Sequence, residues 1–288
     1  MATTIQSAFQ AFRQNVEITD LQTSTVSTRQ SNVRAAIAKE MKVLDSFLAG
    51  SYKRHTMIAP LKKADVDIFV VLDSEYYQSD GQANLLDKVR RALLKTYTRS
   101  PRISRNGQAV TIVFTDFEVD VVPGFYRDGG GYLIPDSILG RWIATDPKKH
   151  VDIWVAANKA HDGNLVPLIK MLKCWNRAHS ALLRSFHLET LVLKVTDGVT
   201  ISGFDSGGRY VFDNARTWVG TALPDPAGYA GSIGGYLDTL TKQAAVKQRL
   251  TAAYEKAREA ESLASQGYTD SAINKWRIIF GDYFPAYG

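Results

Sequence analysis

Asp65 and Asp67 flank a single residue, Val66, at the head of the apolar run Ile68-Phe69-Val70-Val71-Leu72. Side chains alternate along a strand, so the two carboxylates project from one side while Val66 turns into the core. Neighbouring carboxylates repel each other unless a cation sits between them. Hard oxygen ligands of this kind suit Mg²⁺, which keeps water and substrate phosphates in its remaining positions. Gly50-Ser51 precedes the pair and reads as a turn. The first expectation is a metal-dependent phosphoryl- or nucleotidyl-transfer site.

A third carboxylate comes from the run Thr115-Asp116-Phe117-Glu118-Val119-Asp120-Val121-Val122-Pro123. Asp116, Glu118 and Asp120 alternate with apolar residues and are expected on one face of a strand. Asp120, followed by Val121, Val122 and Pro123, is the most deeply set of the three; Asp116 and Glu118 read as solvated. If this strand lies beside that of Asp65 and Asp67, three carboxylates converge. In a two-metal mechanism, Asp65 and Asp67 would hold both ions and Asp120 the ion that activates the attacking hydroxyl. Asp120 is also placed to accept that proton.

The elements that must position these groups follow from periodicity. Apolar residues at Val33, Ile37, Met41, Leu44 and Leu48 predict a helix over 29–48, stopped at Gly50. Val66 to Leu72 reads as a buried strand and 83–97 as an amphipathic helix. Two more strands are expected over 109–114 and 117–122, the second ended by Pro123-Gly124. Asp146-Pro147 is a helix start, with Asp as N-cap and Pro at the first helical position. Helices are then predicted over 148–159, 165–178, 185–196, 208–219, 232–264 and 270–280. Gly129-Gly130-Gly131 reads as a turn. Strands gather in the first half and helices in the second, which predicts an α/β lobe over 1–145 and a helical lobe over 146–288. The site is expected in the cleft between them, and the N-terminal helices are expected to pack on the second lobe.

Composition sets broader bounds. A chain of 288 residues with 45% hydrophobic and 22% charged residues has the make-up of a soluble globular protein. No apolar stretch approaches the roughly 18 residues that span a bilayer, and the N-terminal segment lacks the order of a secretion signal. One cysteine, Cys174, leaves no internal disulfide and fits a reducing compartment, so a cytoplasmic location is expected. The net charge of +6 suits triphosphate substrates as well as nucleic acid, and no block of like charges singles out the latter. His55, His150, His161, His179 and His187 show no metal-ligand spacing with Cys174, which argues against zinc. His187 reads as structural.

Gly50-Ser51, Asp65-Val66-Asp67 and a separate Asp120 on a later strand resemble the pattern of polymerase β-type nucleotidyltransferases. Within that superfamily the chain is similar to the bacterial cGAS/DncV-like nucleotidyltransferases (CD-NTases), SMODS-type synthases of cyclic oligonucleotide second messengers in anti-phage defence. The resemblance extends to Arg141-Trp142, the Leu168-Ile169-Lys170 helix, Ser185-Phe186-His187-Leu188-Glu189 and Trp276-Arg277-Ile278-Ile279-Phe280-Gly281. It implies a bilobal fold with a mixed sheet and a helical lobe. It implies that Gly50 lets the backbone approach a donor triphosphate and that Ser51 offers a hydroxyl and an N–H to its oxygens.

Lys170, Lys173 and Arg177 recur at i, i+3 and i+7 and read as one basic stripe on an otherwise apolar helix. By the resemblance, Lys170 reaches the triphosphate, Ser185 binds a phosphate, and Phe186 stacks on the donor base. Pyrimidine-preferring members tend to carry Asn shortly after the Arg-Trp pair. Thr145 stands there in this chain, so purines, ATP and GTP, are the expected substrates. Two Mg²⁺ ions are the implied cofactors, with Mn²⁺ as a substitute. A regulatory protein or ligand is a further expected partner, and the expected state is a monomer without membrane or nucleic-acid binding. The weighed rivals are a template-independent RNA or tRNA nucleotidyltransferase, a protein- or tRNA-modifying toxin-type transferase and a catalytically silent nucleotide sensor.

Overall fold

The computed structural model describes residues 2–98 and 102–288. In chain order it begins with α1 (Ile5–Asn15), α2 (Asp20–Ala38), β1 (Val43–Leu48), α3 (Gly50–Lys53), β2 (Asp65–Leu72) and α4 (Gln82–Thr96). Five strands follow: β3 (Arg102–Asn106), β4 (Ala109–Val113), β5 (Glu118–Tyr126), β6 (Tyr132–Asp136) and β7 (Arg141–Thr145). The rest is helical: α5 (Pro147–Ala160), α6 (Leu165–Ala178), α7 (Ser185–Val195), α8 (Phe204–Trp218), α9 (Leu240–Ser265) and α10 (Thr269–Phe280). The chain forms two compact units, Ile18–Asp152 and residues 2–17 together with Ile153–Gly288.

The first unit is built on a mixed sheet in the order β1-β2-β5-β4-β3, with β6 paired to the far end of β5 and β7 to β6. Only β2 and β5 run parallel among these pairings. Strand alternation gives the sheet two unlike faces. On one, Val66, Ile68 and Val70 of β2 and Val119 and Val121 of β5 pack under Val33 and Ile37 of α2 and Leu86 and Val89 of α4. On the other, Asp65 and Asp67 come first and Phe69 and Val71 follow. Phe69 and Val71 join Ala49, Tyr132 and Ile134 in a smaller cluster, where Phe47 stacks on Phe69 with centroids 5.0 Å apart. The same face is therefore polar at one end and apolar at the other.

The second unit is helical. Its core gathers Phe9 and Phe12 of α1 with Trp276 and Phe280 of α10 and with Phe284. Phe9 meets Trp276 edge-on at 5.1 Å, and Phe12 meets Phe280 at 4.9 Å. Burying each such side chain contributes roughly 1.5–3 kcal/mol. Thr4 and Ser7 close a reciprocal capping box that starts α1. No helix among the described residues is long and apolar enough to cross a membrane.

Several expected elements take a different form. The predicted helix over 29–48 ends at Ala38, and Val43–Leu48 is a strand antiparallel to β2. Leu44, assigned by the helical period to the buried stripe, is 45% exposed on this edge strand. The helical spacing of Val33, Ile37 and Met41 runs on into Leu44 and Leu48 by coincidence, and pairing with β2 decides the outcome. Gly50-Ser51 opens a single helical turn rather than a plain turn. β5 passes through Pro123-Gly124 and ends at Tyr126, because Pro123 and Gly124 still pair with Val70 and Val71 of β2. Asp116 lies ahead of β5 and its carboxylate pairs with Arg29 at 3.2 Å. It therefore does not share the strand face of Glu118 and Asp120. The helix expected over 232–264 begins only at Leu240. Strands β3, β6 and β7, not foreseen from periodicity, are short and lie outside the long apolar runs.

Candidate active site

β2 and β5 lie side by side and parallel, with Asp65 opposite Glu118 and Asp67 opposite Asp120. Residues opposite one another in a sheet face the same side, and residues two apart along a strand do likewise. Asp65, Asp67, Glu118 and Asp120 therefore occupy one patch of one face. The convergence expected for Asp65, Asp67 and Asp120 rests on this register. Glu118, read from sequence as solvated, belongs to the same patch.

Gly50 sits against the carboxylate. A Cβ built at position 50 would stand 1.7 Å from Asp67 Oδ2, and the Gly50 φ of +59° is a conformation that favours glycine. The Ala49 amide donates to the Asp67 carbonyl at 2.9 Å, which ties the entry of α3 to β2. The Ser51 carbonyl in turn accepts from the amides of Thr56 and Met57. This closes the loop after α3 and fixes the half-buried Ser51 beside the strand.

Asp120 is held from its other side. Thr111 on β4, directly opposite in the antiparallel pair, donates its hydroxyl to Asp120 Oδ1 at 2.6 Å. Burial pushes the Asp120 carboxyl above the usual range. The Thr111 hydrogen bond works against that shift and the Glu118 charge adds to it. A carboxyl whose proton affinity is raised by burial and a like charge is suited to bind a cation or accept a proton.

In the helical unit, α6 carries the basic residues, but they do not form an open stripe. Lys170 and Lys173 are buried: Lys170 Nζ lies 2.5 Å from Glu17 Oε2, and Lys173 Nζ lies 3.0 Å from Glu189 Oε1. Arg177 donates to the Tyr283 hydroxyl at 3.0 Å. Ser185 is the exposed first residue of α7. Phe186 stacks on Trp154 at 5.8 Å with 23° between the rings. His187 hydrogen-bonds through Nδ1 with the Tyr236 hydroxyl at 2.8 Å, and burial lowers its pKa. Burial also pushes the Cys174 thiol up to about 12, which leaves it unreactive.

Thr145 is the last residue of β7 and pairs with Tyr132. Trp142 of the Arg-Trp pair donates its indole N–H to the carbonyls of Gln78 and Ser79, both at 3.0 Å. Next to Thr145, a cavity of about 410 Å³ in the sheet unit is lined by Arg127, Tyr132, Asp146, Lys148 and Lys149 among others. Lys148 is engaged there, 4.4 Å from the Phe47 ring centroid and 3.2 Å from Asp45. Sequence reasoning did not find Thr111, Glu17 or Trp154. Strand pairing places the first, and the other two meet their partners only through the helical packing.

Among the described residues, no three or more His, Cys, Asp or Glu side chains are gathered closely enough to hold a metal ion. The donor set nevertheless fits divalent cations. It consists of hard oxygens in register, with glycine where any side chain would displace Asp67. Asp65, Asp67 and Asp120 are the residues that would hold them.

The Second Messenger Oligonucleotide or Dinucleotide Synthetase domain (SMODS) matches residues 3–158. A cyclic AMP-AMP-AMP synthase from an Acinetobacter species is 28% identical, with 93% of this chain and 83% of that protein covered. Among solved structures, Escherichia coli MS115-1 CdnC with ATP superposes with a TM-score of 0.79 at 17% identity, covering 98% of this chain and 99% of that one. The complex of that CdnC with HORMA-deltaN gives 0.78 at 18% identity and 98% coverage of both chains. These structural likenesses concern the fold.

Proposed function

The chain belongs to the family of second messenger oligonucleotide or dinucleotide synthetases, and from that premise we propose that Asp65, Asp67 and Asp120 are its catalytic metal ligands. The protein is a nucleotidyltransferase, a cyclic oligonucleotide synthase of the CBASS anti-phage type. The observation that carries the site assignment is the parallel register of β2 and β5, which sets Asp67 beside Asp120 with Gly50 packed on Asp67. Two Mg²⁺ ions are the proposed cofactors, with Mn²⁺ as a substitute; when bound they neutralise charge on the attacking and leaving oxygens.

The residues of the chain supply the rest. A ribose hydroxyl of the acceptor nucleotide forms a bond to the donor α-phosphorus as the α–β phosphoanhydride breaks. Pyrophosphate leaves, and the hydroxyl proton passes to Asp120. The Thr111 hydroxyl orients the Asp120 oxygen that receives it. Gly50 and Ser51 on the sheet unit offer the close backbone approach and hydroxyl that phosphate oxygens require. Lys170 and Ser185 on the helical unit supply an ammonium and a hydroxyl for the same class of ligand. Phe186, backed by Trp154, offers an aromatic face to a base. Repetition of the same step closes a ring of two or three nucleotides.

Purine nucleotides are the proposed substrates, on Thr145 and on the adenine product named for the Acinetobacter relative. A monomer is the proposed state, and a regulatory protein is a proposed partner by analogy with the complex of the Escherichia coli CdnC with HORMA-deltaN.

Incubation of purified protein with labelled ATP, GTP, CTP and UTP plus Mg²⁺, followed by phosphatase, tests the reading. A small phosphatase-resistant product is expected. Label found only on added tRNA or protein would overturn the reading in favour of an end-extending or modifying transferase. The double variant Asp65→Asn/Asp67→Asn should lose at least about a thousandfold in rate while keeping its melting temperature within a few degrees. Undiminished synthesis would remove the metal assignment.

A further inference from the structure

The three cations of α6 have partners of different kinds. Lys173 is paired with Glu189, whose side chain is 0% exposed, so that pair is sealed in the core. Arg177 is held by a neutral hydroxyl of Tyr283. Lys170 is as buried as Lys173, at 5% side-chain exposure, yet its partner Glu17 is 48% exposed. The ammonium is inside and its counter-ion stands at the solvent edge.

Glu17 also differs in where it sits. It lies between the C-cap of α1, Val16, and the N-cap of α2, Thr19. It is thus on a short connection rather than within a helix, and 153 residues separate it from Lys170. A connection of this kind can turn a side chain away without unwinding an element. A buried ammonium left unpaired is strongly disfavoured, so Lys170 needs an anion at all times. A carboxylate and a phosphate oxygen meet that need with the same hydrogen-bond chemistry.

We propose that Glu17 is the exchangeable counter-ion of Lys170: the phosphates of the incoming donor displace it, and it returns as pyrophosphate departs. The inference rests on the assignment of Lys170 to the donor triphosphate. Glu17 is a positioning residue that holds the ammonium in place while the site awaits a nucleotide. It raises the donor KM, because every triphosphate must displace a carboxylate, and it speeds product release, because the carboxylate competes with pyrophosphate.

Calorimetric binding of α,β-methylene-ATP and of inorganic tripolyphosphate in the presence of Mg²⁺ tests this on the full chain. Tripolyphosphate carries no base, so base preference does not enter its arm. Glu17→Gln should bind both probes about three- to tenfold more tightly than the wild type. Glu17→Asp, which keeps the charge, should stay close to the wild type. In turnover, Glu17→Gln should lower the donor KM and make pyrophosphate a several-fold stronger inhibitor. Lys170→Met should weaken both probes at least about tenfold, and the gain from Glu17→Gln should vanish in that background. If Lys170→Met weakens binding but Glu17→Gln leaves it unchanged or weaker, the exchange is overturned and the phosphate role of Lys170 stands. If Lys170→Met leaves binding unchanged, the phosphate role fails and the exchange falls with it. A drop in the Glu17→Gln melting temperature without tighter probe binding marks a purely structural ion pair and also overturns the exchange.

Discussion

A methyl group at position 50 would occupy the space of the Asp67 carboxylate, so the two residues are coupled through contact rather than through charge. Gly50→Ala should keep the fold, because left-handed backbone at one alanine costs only about 1–2 kcal/mol. It should also drive Asp67 off its position, and displacements of about 1 Å at reacting groups cost about a hundredfold. The expected outcome is product formation reduced at least about a hundredfold with a melting temperature lowered by a few degrees; near-normal synthesis would show that Asp67 tolerates the shift. At this scale the sequence spoke clearly for Asp65 and Asp67, since i and i+2 on a strand share a face under any pairing. Thr111 was silent. It meets Asp120 only because β4 lies antiparallel to β5 with Thr111 opposite Asp120, and nothing in either segment states that register. The place of Glu118 opposite Asp65 is hidden for the same reason, because it depends on the pairing of β2 with β5.

Elements were legible where their own periodicity matched their burial. α4, α6, α7 and α10 each carry a strong apolar stripe or a buried run, and each appears within a few residues of its expected span. β1 shows the opposite case, because a helical spacing of apolar residues persists by chance into an edge strand. β6 and β7 depend on a turn that no apolar pattern announces. Asp136 builds it: Oδ1 accepts from the amides of Ile138 and Leu139 at 2.9 and 2.8 Å, and Oδ2 accepts from Gln108 at 3.1 Å. Burial alone would raise this carboxyl. The hydrogen bonds from Leu139, Gln108 and Ile138, together with the Arg141 charge, outweigh it and hold the pKa below the usual value. Asp136→Asn should therefore cost about 1–3 kcal/mol at neutral pH. Because the folded pKa is depressed, the ionised carboxylate stabilises the protein above the unfolded value of about 3.9 and loses that effect as the pH falls through the folded one. Denaturation curves at pH 7 and near pH 3 should show the gap between wild type and variant closing at the lower pH. A gap of constant size would mean that the charge is not what holds the turn.

At the scale of the whole chain, the segregation of strands and helices was visible in the distribution of apolar runs, but the grouping of residues 2–17 with the helical unit was reachable only as an expectation about packing. α1 is amphipathic, with Ala8, Phe9 and Phe12 buried on one side, and an amphipathic stripe does not say what covers it. The covering residues lie at the other end of the chain. Asn15 donates to the Tyr283 carbonyl at 3.2 Å, and Phe12 packs against Phe280 and Phe284 with centroids 4.9 and 5.3 Å away. Ala2 even forms a parallel bridge with Tyr287. The chain thus returns to its start in order to complete a core. Phe12 is fully buried, so Phe12→Ala removes a ring whose space its neighbours cannot refill. The expected loss is about 3–5 kcal/mol of the stability of the helical unit. Phe9→Leu, which keeps most of the buried volume, should cost less than about 2 kcal/mol in the same background. Urea denaturation followed by tryptophan fluorescence reads this directly, since Trp276 sits 5.1 Å from Phe9 in the same cluster. A cost for Phe12→Ala below about 1 kcal/mol would mean that α1 is dispensable to that core, and that the first seventeen residues are an appendage rather than part of the unit.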